Sequence, residues 1–223
     1  KLQVTDVTMF VGEGQLNYQW DRSNKKEKSN TEKIGLQRDS KSPSGDLGVS
    51  VYRMDVILLG ANRNAEVIKE GLQQDYENYY LPQCPGGVTA HRYSKITYKK
   101  IYPNIDWEIE TAQKGEAMSQ GCKYNFIVHP GGDYRNIKIQ YNGATSIALK
   151  DGALIATTPM GSITENVPYT YDAATHKEIK SNFILNNNIL SYNIALPLGS
   201  GEGDRASAFI INPVLEWASY FGG

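Results

Sequence analysis

The chain has 223 residues, 40% hydrophobic and 21% charged, with a formal net charge of −1. So small a charge offers no field to gather nucleic acid, and no apolar run approaches the ~20 residues a helix needs to cross a bilayer. A chain of this length makes one large domain or two small ones, and it buries roughly 70% of its unfolded surface without help from a metal or a disulfide.

From the start, KLQVTDVTMFV lacks an initiating Met and a signal peptide, which fits a processed or trimmed chain. A strand is expected over 2–11. Residues 21–46 are different: seven basic and five acidic residues surround Ile34 and Leu36, the only aliphatic side chains. That composition predicts a mobile polar loop, with IGLQ (34–37) as a short edge strand. A strand over 47–58 follows. Residues 65–81, AEVIKEGLQQDYENYYL, carry some 3.6-residue spacing and are the place for one short helix, although Gly71 interrupts it.

Alternation then dominates. Strands are expected over 95–101, 105–111, 123–128 and 136–141, with Tyr124, Phe126 and Val128 on one face and Ile137, Ile139 and Tyr141 on another. IALKDGALIA (147–156) predicts a hairpin turning at Asp151-Gly152, a pair suited to two positive φ angles. FILNNNILSYNIAL (183–196) predicts a second, turning within Asn186 to Asn188. Further strands are placed at 178–185 and 207–220, joined by a flexible stretch at 197–207. Strands at this spacing, separated by Gly, Asn and Pro turns, indicate an all-β antiparallel sandwich or barrel. The 15 tyrosines, against 5 phenylalanines, suit half-buried strands.

The chemistry centres on IDWEIE (105–110), where Asp106, Glu108 and Glu110 occupy alternate positions. On a strand these share a face at about 6.6 Å per step, within the range of paired glycosidase carboxylates. The pattern also resembles the acid-x-acid-x-acid strand of laminarinase-like jelly-roll hydrolases, although Trp107 then points away from the carboxylates. The simpler expectation buries Ile105, Trp107 and Ile109 and leaves the acids on a solvated face, paired with Lys95, Lys99 and Lys100 on a neighbouring strand. His91, His129 and His176 fall in no metal-ligand spacing, GSGEG (199–203) lacks the lysine of a P-loop, and no GxSxG elbow occurs. No cofactor or metal is therefore expected, and Asp133 and Asp204 read as turn residues. Cys84 and Cys122 are a disulfide candidate, closing a loop of about 40 residues worth about 4 kcal/mol. An even count without CxxC favours an oxidising compartment; two unrelated buried thiols are the alternative. NYY (78–80) and WASYF (217–221) could present aromatic rings to a glycan.

Several stretches resemble one family in order and spacing: FVGEGQ (10–15), GANRNAEV (60–67), NYYL (78–81), ITYKKIYPNIDWEIE (96–110) and KYNFIVHPGGDYRNIKIQYNGA (123–144). KDGALIATTPMG (150–161), NVPYTY (166–171) and INPVLEWASYFGG (211–223) complete the set. Together they are similar to the uncharacterised N-terminal domain that precedes SBBP-type β-propeller repeats in secreted bacterial proteins. FVGEGQ is a residue short of the family pattern, HPGGDYRN replaces its P-G-A-D-P turn, and 21–46 is an insertion. The resemblance implies an all-β module over 1–208, with 209–223 as last strand and junction to a downstream propeller of the same polypeptide. It implies a secreted or cell-surface location, in a Gram-negative bacterium. The implied role is non-enzymatic and structural or adhesive, with a surface glycan or protein as partner and neither nucleic acid nor membrane insertion. Trp217, Tyr220 and Phe221 would form an apolar patch at the junction. Because the family pattern keeps Asp106 but not acids at 108 and 110, Asp106 is expected to satisfy backbone amides. The alternative is a carbohydrate-binding module or a jelly-roll glycoside hydrolase using Asp106, Glu108 and Glu110.

Overall fold

Alternating apolar residues become strands wherever a neighbour can bury the apolar face, and here nearly every alternating segment finds one. A computed structural model describes residues 2–4, 7–22, 50–81, 84–110, 123–196, 207–213 and 215–219. Strands β1 to β18, numbered in chain order, form three antiparallel sheets that do not close into a barrel. The first runs β1 (Leu2–Val4), β2 (Val7–Gly12), β3 (Gln15–Arg22), β4 (Ser50–Leu58), β9 (Ile139–Asn142), β16 (Ile189–Ile194) and β15 (Ser181–Asn186). The second runs β14 (Glu178–Ile179), β13 (Tyr169–Asp172), β17 (Phe209–Asn212), β8 (Lys123–Val128), β7 (Ile105–Glu110), β6 (Cys84–Tyr102) and β5 (Glu66–Leu81). The third contains β10 (Ser146–Lys150), β11 (Ala153–Thr158), β12 (Gly161–Glu165) and β18 (Leu215–Ser219).

One core serves all three sheets. Met9, Leu16 and Trp20 from the first, Trp107, Phe126 and Ile211 from the second, and Leu154, Ala156 and Ile163 from the third belong to the same buried cluster. Phe126 meets Tyr192 edge-on at 6.2 Å, joining the two large sheets. The fold is therefore an all-β sandwich, as the alternation implies. Both predicted hairpins form. Asp151 and Gly152 turn at φ 51° and 81°, and the second turn falls on Asn187 and Asn188 at φ 48° and 61°.

The expected helix at 65–81 is not there; this segment is β5. Its residues find ladder partners along β6, including the opposite charges Glu66↔Lys99 and Glu70↔Lys95. Lys95 Nζ lies 2.8 Å from Glu70, and Lys69 sits over the Tyr93 ring at 5.6 Å. Gly71, at φ 66°, takes a conformation that breaks a helix, and a Cβ there would lie 1.8 Å from Ser94 Oγ. A single helical turn, Tyr134–Asn136, is capped by Asp133, whose side chain accepts from the Arg135 amide. Segment 209–219 is integral to the sheets: β17 lies between β13 and β8, and β18 closes one edge of the small sheet. Residues 21 and 22 of the predicted 21–46 loop belong to β3, and the rest of it, with its IGLQ strand, lies outside the described residues.

Candidate functional site

The acids of β7 stand on the outer face of the second sheet because their neighbours Ile105, Trp107 and Ile109 fill the core. Trp107 stacks between Tyr98 at 5.4 Å and Phe126 at 6.5 Å, which fixes the direction of every side chain on the strand. The expected solvated row needs correction at its first member: the Asp106 side chain is only 1% exposed. β6 carries an irregularity between Tyr98 and Tyr102, with Lys100 at φ 51°, and this bulge brings its backbone to the carboxylate. Asp106 Oδ1 accepts the Lys100 amide at 2.8 Å. Its Oδ2 takes the Lys99 ammonium and lies 2.8 Å from His129 Nε2. Burial pushes the Asp106 carboxyl up, but Lys99, the Lys100 amide and His129 outweigh it and hold it below its ordinary value.

Glu108 is differently engaged. Asn125 Nδ2 donates to its Oε1 at 3.2 Å, and Lys95 Nζ lies 3.5 Å from its Oε2. Glu110 faces Lys95 on one side and Lys123 on the other. Thus Lys95 and Lys99 pair with the acids as expected, whereas Lys100 contributes its backbone. The three carboxylates share a face without converging on one point, and among the described residues no three His, Cys, Asp or Glu side chains gather as metal ligands.

Farther across the same face lie groups that sequence reasoning passed over. Tyr169 and Tyr171, at alternate positions of β13, have ring centroids 5.4 Å apart with planes inclined by 31°. Tyr171 and His176 follow at 5.9 Å and 20°. Burial first, then the charges of Glu108 and Glu110, raises the Tyr171 hydroxyl above its ordinary value. The alternation in NVPYTY was the available signal; what it could not disclose is that β17 would join this strand to the sheet of β8 and β7.

A second carboxylate lies inside. Glu165, the last residue of β12, is buried and accepts from the hydroxyls of Tyr124 on β8 at 2.7 Å and Tyr141 on β9. One acid therefore ties the three sheets together. Burial raises its carboxyl above the ordinary value while the two phenols pull it back. Burial likewise raises both phenols, and the Glu165 charge adds to it.

Of the other expected residues, Cys84 begins β6, whereas Cys122 lies outside the described residues; no disulfide is present among those described. Trp217 stands opposite Ile163 in the β12–β18 ladder, and Tyr220 and Phe221 lie outside the described residues. Asp204 lies outside them as well.

No curated protein and no solved structure matches the chain. A family model described as a domain of unknown function, DUF7948, matches residues 1–214. Matched by that model over nearly its whole length, this all-β sandwich belongs to the DUF7948 family.

Proposed function

We propose that this domain is a non-enzymatic interaction module of a secreted or surface-exposed bacterial protein, leading into a β-propeller of the same polypeptide and serving adhesion or display. The observation that carries the non-enzymatic reading is the engagement of the acids. Asp106 holds a backbone amide, Lys99 and His129, and Glu108 holds Asn125 and Lys95. A glycosidase pair needs one protonated and one ionised carboxyl facing a substrate across an open space. Asp106, held ionised, does not suit the protonated part, and its burial keeps it from facing a substrate in the other. The propeller context draws its support from the motif order ending in INPVLEWASYFGG and from a C-terminal segment woven into two sheets. A disulfide between Cys84 and Cys122 belongs to the same proposal and would be read from the mass shift on reduction and alkylation.

The test is a hydrolysis screen of the purified chain against plant, bacterial and host polysaccharides, in parallel with Glu108→Gln. No release of reducing ends is expected from either protein. Turnover by the wild type that Glu108→Gln abolishes overturns the reading.

A further inference from the structure

We propose that the outer face of the second sheet binds a neutral saccharide, with Tyr169, Tyr171 and His176 as an aromatic platform and Glu108, Asn125 and Asn212 as its hydrogen-bonding flank. The proposal rests on the interaction-module reading and gives that module a ligand class. Strand register assembles the surface. Glu108 faces Asn125, Asn212 faces Tyr169, and the intervening pair Ile211↔Phe126 sets Asn212 in line with Asn125. A carboxylate, two amides and a tyrosine thus run in one row across four strands.

Two independent features point to a ligand. The first is the ring series: centroids 5.4 and 5.9 Å apart with planes inclined by 31° and 20°, with Tyr169 48% exposed and His176 exposed. Rings of this kind present apolar faces flanked by polar groups, which complements the C–H face and hydroxyl rim of a pyranose. The second is a polar deficit beside them. Asn125 is only 8% exposed, yet its Oδ1 has no hydrogen-bond partner, and the Oδ1 of Asn212 has none either. Buried amide oxygens without donors are uncommon in folded proteins, and each is costly to leave so. A polyhydroxyl ligand supplies donors to both, directly or through a held water, and accepts in turn from the Lys95 ammonium beside Glu108.

Charge selects within the class. Glu108 and Glu110 alternate with Lys95 and Lys123 on this face, so no net positive field draws a polyanion. A neutral glycan loses nothing by approaching such a surface. Sugar hydroxyls match its balanced donors and acceptors.

The experiment is affinity electrophoresis and calorimetry of the full 223-residue chain with cello-, xylo-, manno- and chito-hexaose, and with heparin as the anionic arm. The variants are Tyr169→Ala, Tyr171→Ala, Asn125→Ala and, on the distant β5, Tyr76→Ala. Binding to at least one neutral hexaose is expected, weakened about tenfold or more by either β13 variant and unchanged by Tyr76→Ala. Tyr169→Ala decides the matter if Asn125→Ala fails to fold, since its side chain is half exposed. Absence of binding to all four neutral hexaoses, binding to heparin alone, capture of a protein instead, or binding indifferent to both β13 variants overturns the proposal. Those outcomes leave the non-enzymatic module standing. Hydrolysis of a hexaose that Glu108→Gln abolishes overturns both.

Discussion

Asp106 shows how a carboxylate on an alternating acidic strand is drawn into the local architecture. A carboxylate under a strand bulge accepts the Lys100 amide there, and the Lys99 ammonium and the His129 ring offset its desolvation. Asp106→Ala leaves the Lys100 amide without its acceptor and is expected to cost about 2 kcal/mol, read from urea denaturation midpoints. Asp106→Asn keeps an acceptor and costs less. The pH dependence follows from the direction of the shift. The folded carboxyl lies below its ordinary 3.8, so its contribution is present above pH 3.8 and is lost as pH falls through the lowered value. Wild-type stability should therefore drop more steeply than that of Asp106→Asn below pH 3.8. Parallel curves in acid would refute this account. The identity and position of Asp106 were plain in the sequence. Its burial was not, because the bulge and His129 come from two other strands.

At the scale of elements, β5 shows the limit of periodicity. Residues 65–81 have too few apolar positions to commit to either spacing, and the cross-strand pairs with β6 decide the outcome. The ladder with β6 leaves Leu72 62% and Tyr76 59% exposed. Gly71 is the sensitive point, since its positive φ and the nearby Ser94 side chain exclude a larger residue. Gly71→Val is expected to loosen the β5–β6 ladder by roughly 1–3 kcal/mol. Amide exchange should quicken in 66–81 and 84–99, while the global unfolding midpoint moves little. Unchanged protection in those ladders would contradict the assignment. By contrast, the β10–β11 and β15–β16 hairpins are local, and their Asp-Gly and Asn-Asn turns announce them because the needed φ values belong to those very residues.

Across the whole molecule, Glu165 is the group that touches everything: its carboxylate on the small sheet receives one phenol from each large sheet. Such a buried acid specifies one mutual placement of the sheets at some cost in stability. Its carboxyl is raised above the ordinary 4.5, so its contribution is full below pH 4.5 and declines as pH rises through the raised value. Glu165→Gln removes that decline. As pH rises above 4.5, denaturation midpoints should fall for the wild type relative to the variant, and equal slopes would rule the mechanism out. Sequence by itself determined the all-β class, the two hairpins and the inward course of Ile105, Trp107 and Ile109, since alternation and turn chemistry are properties of neighbours along the chain. Only the tertiary structure decided that Asp106 is buried, that 65–81 is a strand, that Glu165 joins three sheets and that Tyr169 and Tyr171 share a face with Glu108. Each of these depends on which distant strands pair and in what register, and that choice is made by the shared core rather than by any local run of residues.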